Sequence, residues 1–364
     1  MYKVRIFVDC HVFDGTFQGT TSYLQGLYTE LIKDNTKQFF LAAVDIANLK
    51  SVFGEHPNVQ YLKYSSANKF LRLLINIPFL LKKYRIDYAH FQYIIPPVKL
   101  CKYIDTIHDV LFLDFPQYFP KSYQFKNRHL FQWSANHSDV VLTVSEYSRE
   151  RISHHFKISK ISITPNAVEP VFFEKYDKTA ISEEVLTKYG IANYWIFISR
   201  HEPRKNRLLL LRAFAESDYH NNFSLVFVGR MAIPDPEYDN YFRLLPDKVK
   251  GKILNLESLK SFEMLKLIRA ASLSIYPSFA EGFGIPPLES AAARIPTVCS
   301  NTTAMADFTF MENCLFDPSD INDLLEKIKI ALADKDLIRK QIAISENYSW
   351  SISAKRFLEA LELI

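Results

Sequence analysis

The chain has 364 residues, 48% hydrophobic and 23% charged, the balance of a globular protein and too long for one ordinary core, so two domains are expected. A net charge of +4 is too small to argue for a nucleic-acid partner. Four scattered cysteines (Cys10, Cys101, Cys299, Cys314) lie mostly in apolar runs, which argues against a disulfide framework or metal cluster and for buried thiols in a reducing compartment.

The chain opens on a strand-like run at 4–9, with no charged leader before an apolar signal segment. No apolar stretch reaches membrane-spanning length, so a cytoplasmic protein is expected. Strand-like runs continue at 39–45, 59–64, 88–93, 103–107, 140–144 and 161–165, with helical patterns at 23–33, 69–84, 123–135 and 147–156. After a charged, polar lapse over 168–190 the style repeats. Strands are expected at 195–199, 225–228, 253–256, 273–276 and 297–300, and helices at 207–216, 262–271, 287–293, 321–332 and 351–363. Such alternation implies parallel sheets built from crossover units. Two sets imply two doubly wound α/β domains joined within 168–190. Ligands of such sheets bind outside the carboxyl ends of the strands, so a cleft between the domains is the expected site.

The most informative segment follows the strand at 273–276: Pro277-Ser278-Phe279-Ala280-Glu281-Gly282-Phe283-Gly284-Ile285-Pro286-Pro287-Leu288-Glu289. Pro286 suits a first helical position, where its missing N–H costs nothing. Gly282 and Gly284 let the backbone approach a ligand closely. The N–H groups and positive dipole end of the helix make an anion site, most simply for phosphate. Glu281 and Glu289 flank it. Carboxylates repel phosphate, so they are assigned to hydroxyls of whatever the phosphate carries, and a sugar nucleotide has hydroxyls on both sides of its diphosphate. The plain alternative is a turn with glutamates favourable to the helix start.

Three further loops stand at strand ends. In Ser199-Arg200-His201-Glu202-Pro203-Arg204-Lys205-Asn206, the cations Arg200 and Lys205 would neutralise a diphosphate; a solvated basic loop is the alternative. His108, in Thr106-Ile107-His108-Asp109, could bond a sugar hydroxyl or relay a proton, or simply pack against Asp109. Gly19, in Asp14-Gly15-Thr16-Phe17-Gln18-Gly19-Thr20-Thr21-Ser22, can make a flexible turn and helix cap near phosphate or acceptor. Its spacing fits neither a dinucleotide fingerprint nor a P-loop. The stretch 69–85 mixes Lys69, Arg72, Lys82, Lys83 and Arg85 with large apolar residues. It reads either as an amphipathic helix on an anionic membrane or as a core-facing helix with solvated cations, kinked or broken at Pro78. No Cys/His metal spacing, aspartate-rich metal site or nucleophile elbow is apparent.

Together these residues resemble the family-4 retaining glycosyltransferases of the GT-B fold. Glu281 and Glu289 match the family's paired glutamates, and Arg200 and Lys205 its diphosphate-binding pair. His108-Asp109, followed by Phe115-Pro116-Gln117-Tyr118-Phe119, is similar to the mannosyl- and rhamnosyltransferase branch. Val144-Ser145-Glu146-Tyr147-Ser148, Pro165-Asn166-Ala167-Val168 and Tyr348-Ser349-Trp350 are also familial, so the resemblance spans essentially the whole chain. Three positions depart from the pattern. Arg294 stands where Gly is usual, Ala306-Asp307 where Pro-Glu is usual, and Ala167 where Gly is common.

The resemblance implies two Rossmann-like domains facing across a cleft. Residues 1–170, with a crossover helix at about 350–364, would bind the acceptor, and 171–349 the donor. The implied reaction is retaining, metal-independent transfer of a hexose, mannose-like favoured. It would run from a nucleotide-diphosphate sugar, GDP or UDP favoured, to a glycan or lipid-linked acceptor in bacterial surface polysaccharide synthesis. Arg200 and Lys205 would hold the diphosphate, and Gly282, Phe283, Gly284 and Gly19 would support the donor. Glu281 would bind sugar hydroxyls, Glu289 the ribose, and His108 the donor sugar. No cofactor is expected, and the work place would be the cytoplasm, at the inner face of the membrane if 69–85 docks there. Two alternatives stay open: a sugar-nucleotide epimerase of the same fold, and an inactive nucleotide-sugar-binding subunit.

Overall fold

The computed structural model describes residues 3–15, 18–257 and 259–363. Thr16 and Phe17 of the N-terminal loop lie outside the described residues. The chain forms two compact units, Met1–Ala167 with Tyr348–Ile364, and Val168–Asn347.

The first unit is built on seven strands: β1 (Val4–Asp9), β2 (Lys37–Ala43), β3 (Val59–Lys63), β4 (Tyr88–Gln92), β5 (Lys102–Thr106), β6 (Val140–Thr143) and β7 (Ile161–Ile163). They lie in the order β3-β2-β1-β4-β5-β6-β7, with every pair parallel. The inner strands are buried on both faces, as parallel strands covered by helices must be: Ile6, Phe7 and Val8 are fully buried. The C-terminal helix Trp350–Glu362 belongs to this unit and packs on the helix Gly19–Leu31. Gly26 permits that contact, because a Cβ there would sit 1.9 Å from the Trp350 ring. Ser353 Oγ fixes the helix by donating to the Pro165 carbonyl at 2.5 Å.

The second unit carries β8 (Tyr194–Ile198), β9 (Ser224–Val228), β10 (Ile253–Leu256), β11 (Leu273–Tyr276), β12 (Thr297–Ser300) and β13 (Leu315–Phe316). Their order is β10-β9-β8-β11-β12-β13, again all parallel. In both sheets the first strand lies between the second and the fourth, which makes the doubly wound switch point.

Two expectations need correction. The polar stretch after 168 is not a structural lapse, since Lys178–Tyr189 is helical. Asp177 caps it by accepting from Thr179 and Ala180, and Gly190 ends it at φ 70°. Only Val185 of that helix is buried, so it carries almost no apolar stripe to read. At 69–83 Pro78 does not break the helix. A π-helical turn, Arg72–Asn76, precedes it, and Ile77 N–H reaches back five residues to Arg72.

Candidate functional site

In the second sheet β8 has β9 on one side and β11 on the other. The loops leaving the carboxyl ends of β8 and β11 therefore open a crevice there. These are the loops 199–206 and 277–284, tied together by Phe279 N–H donating to the Arg204 carbonyl at 2.9 Å. Ser300 Oγ holds the second loop by donating to the Ser278 carbonyl at 2.6 Å.

Charge converges on Glu281. Its Oε1 lies 2.5 Å from Lys205 Nζ and accepts from Ser278 Oγ at 2.8 Å. Its Oε2 lies 3.4 Å from Arg204, whose guanidinium also donates to the Ala280 carbonyl at 2.7 Å and pairs with Glu202 at 2.6 Å. The Glu281 N–H donates to Thr303 Oγ1 at 2.9 Å. Thr303 holds that position with φ 53°, a strained conformation for a branched residue. Burial would raise the Glu281 carboxyl, but Lys205, Arg204 and their hydrogen bonds win and hold it down at about 2. Burial pulls the Lys205 ammonium below its ordinary value, and Glu281 opposes that pull. The pair is thus a buried ion pair at a strand end, with Lys205 only 8% exposed. Arg200 stands apart, its side chain 58% exposed and 3.9 Å from Glu202. Of the two cations that the sequence pairs, only Lys205 joins the cluster.

At Gly284 the turn has a strict requirement for glycine. Gly284 has φ 105°, and a Cβ there would approach Met305 Cγ to 2.8 Å. The helix Ile285–Ala292 follows, with Pro286 second rather than first. Pro286 and Pro287 have no N–H, so two of the helix's first donors do not exist. The backbone N–H groups just before these prolines belong to residues 282–285, which include Gly282, Phe283 and Gly284. Glu289 sits in the second turn, and burial, then the nearby Glu169, raise its carboxyl to about 7. Arg294 is left-handed at φ 59°, as the usual glycine would be, and its guanidinium lies over Tyr176 at 5.7 Å.

In the first unit His108 follows β5 and is buried, 6% exposed. Its Nε2 lies 2.6 Å from Gln92 Oε1. An amide oxygen only accepts, so Nε2 carries the proton and Nδ1 is left as an acceptor. Burial lowers the ring to about 3, so it is neutral at physiological pH. It can take a hydrogen bond from a hydroxyl and is a poor proton relay. Gly19 starts the helix Gly19–Leu31, four residues earlier than expected, behind a capping box of Gln18 and Thr21. Among the described residues nothing lies within 4 Å of where a Cβ at Gly19 would sit.

Sequence reasoning assigned no role to Arg204, Ser278, Thr303 or Gln92. Arg204 had a signal, its place beside Lys205 in one basic loop. Ser278 bonds Glu281 only three residues on, within one loop, whereas Thr303 and Gln92 bond their partners through the fold and no local pattern marks them. Among the described residues no cluster of three metal-type ligands occurs.

The family model Glycosyltransferase Family 4 matches residues 19–172, and Glycosyl transferases group 1 matches residues 179–348. The O-antigen chain mannosyltransferase B of Escherichia coli is 27% identical over 331 residues, covering 83% of this chain and 85% of that protein. Among solved structures, a glycosyltransferase from Rickettsia africae aligns with TM-score 0.74 at 19% identity, over 99% of this chain and 98% of the other. Anabaena HepE, solved in complex with UDP-glucose, aligns with TM-score 0.73 at 14% identity over the whole of both chains. Two family models covering most of the chain, with the fold shared end to end, place this protein among the family-4, group 1 glycosyltransferases of the GT-B fold.

Proposed function

We propose that this glycosyltransferase moves a hexose, mannose favoured, from a nucleotide-diphosphate sugar to a glycan or lipid-linked acceptor with retention at the anomeric carbon. The observation that carries the reading is the buried Lys205–Glu281–Arg204 cluster beside the Gly284 turn. Ionised groups held in place at a strand-end crevice are already oriented for a charged ligand. The donor diphosphate lies against Lys205 and Arg200, with N–H groups of 282–285 supporting it. The bond from the anomeric carbon to the phosphate oxygen breaks, and the acceptor oxygen bonds to that carbon on the same face. The acceptor proton passes to the departing diphosphate. Glu281 holds sugar hydroxyls while its charge fixes Lys205. Glu289 holds the ribose, and His108 accepts from a sugar hydroxyl.

Mannose is favoured by the E. coli relative's name, and a GDP- or UDP-sugar by the family resemblance. That same relative's name supports a role in surface polysaccharide synthesis, for which the inner face of the membrane is the proposed work place. Charge on the leaving group is met by side chains, so the reading needs no divalent ion and EDTA should leave the rate unchanged. The test is to supply GDP-, UDP-, dTDP- and ADP-sugars with and without a mannosylated lipid-linked acceptor. Nucleoside diphosphate should appear only when acceptor is present. Release or isomerisation of donor alone would mark an epimerase and overturn the reading.

A further inference from the structure

The helical stretch 69–83 presents two apolar faces. Leu73, Ile77, Leu80 and Leu81 join the core of the first unit. Phe70, Leu71, Leu74, Ile75 and Phe79 recur at steps of four on the other side and stay 43% to 70% exposed. Solvated helices carry polar residues on that face. A contiguous patch of five large apolar side chains marks a surface that is covered in use.

What covers it is told by charge. No Asp or Glu occurs between Glu55 and Asp87, while Lys63, Lys82, Lys83 and Arg85 are exposed. Lys83 Nζ lies 5.7 Å from the Phe79 ring centroid, so cation and apolar group share one surface. The neighbouring helix Lys121–His137 extends the surface. It has no acidic residue, exposes Phe125 at 73%, and sets Lys126 near enough to Lys69 to act on its charge.

We infer that this face of the first unit docks on an anionic lipid bilayer, with Phe70, Leu74, Ile75, Phe79 and Phe125 entering the interface and Lys82, Lys83 and Lys126 on the phosphates. Protruding apolar side chains ringed by cations fit the acyl boundary and headgroups of such a surface. An acidic protein or a second copy of this chain would instead need a complementary surface. The inference deepens the membrane placement proposed above by naming the surface, but it does not depend on transfer activity.

The test is co-sedimentation of the full chain with phosphatidylcholine vesicles and with phosphatidylcholine–phosphatidylglycerol vesicles. The wild type should pellet with the anionic vesicles only, and less at high salt. Phe70→Ser with Phe79→Ser should lower partitioning by about tenfold or more, and Lys82→Glu with Lys83→Glu should abolish the preference for anionic lipid. All four side chains point outward, so circular dichroism melts should match the wild type. Equal pelleting with both vesicles, undiminished binding by the variants, or a dimer that the Phe variants dissolve without any vesicle binding would each overturn the inference. A chain that transfers sugar yet ignores anionic vesicles would overturn this inference alone.

Discussion

The two units use the same strand order but fill their switch points with opposite chemistry. In the second, Lys205, Arg204 and Glu281 lie ionised at the ends of β8 and β11. In the first, the ends of β4 and β5 carry a neutral chain of hydrogen bonds. Tyr28 bonds His90 at 2.7 Å, His90 bonds Thr106 at 2.7 Å, and Gln92 links His90 to His108. Burial lowers both histidines to about 3. At the end of β1 the Asp9 carboxylate is held by Arg72 at 3.4 Å, His11 at 3.1 Å and the Tyr64 hydroxyl, which donates to it. A site with ionised groups in place suits an anionic ligand, and a neutral donor–acceptor array suits sugar hydroxyls. One fold repeated twice can therefore present two chemically different strand-end sites.

The largest way to break this contrast is at Glu281. Glu281→Ala leaves Lys205 buried without its counter-charge. Stability should fall by about 3 kcal/mol, and transfer by about a hundredfold or more. Its ion pair should persist from neutral pH down through the ordinary carboxyl range, because a lowered carboxyl loses its stabilisation only as pH falls towards about 2. A melt and an initial-rate assay check both; a stable, active variant would sink the charged-site assignment.

Next are the two glycines assigned to donor support. Gly284→Ala forces a Cβ into Met305 at a positive φ and should cost about 2 kcal/mol along with donor affinity. Gly19→Ala, at a helix start, meets no described residue within 4 Å and should change stability by less than about 1 kcal/mol. Equal effects in urea melts would show that the first unit's loop is as constrained as the second's.

The smallest effect concerns Glu289. Its carboxyl is raised to about 7, so folding favours the protonated form. That stabilisation is full below the ordinary value of 4.5 and is lost as pH rises through about 7. Between pH 6 and 8 the wild-type Tm should drop by more than that of Glu289→Gln. Parallel curves would mean that Glu289 titrates elsewhere.

Much of this was legible because parallel strands are buried on both faces and so read as unbroken apolar runs, as 194–198 and 225–228 do. The helix Lys178–Tyr189 was not legible, because one buried residue makes no stripe. Nor was the helix Leu337–Asn347, which buries only Lys340 and Ile344. At the site, Glu281 and Lys205 were readable as strand-end residues. Their pairing across 76 positions was not, because only the adjacency of β8 and β11 brings them together. Gln92 escaped for the same reason, being a strand-end amide whose partner lies on the next strand's loop.

The most direct test is nucleoside-diphosphate binding by calorimetry, with GDP and UDP, to wild type, Lys205→Met and His108→Ala. The charged site predicts that Lys205→Met weakens binding about a hundredfold. His108→Ala should bind within about twofold of wild type while losing transfer if, as proposed, His108 meets only the sugar. Undiminished binding by Lys205→Met, or an equal loss in His108→Ala, would contradict the division of labour between the two units.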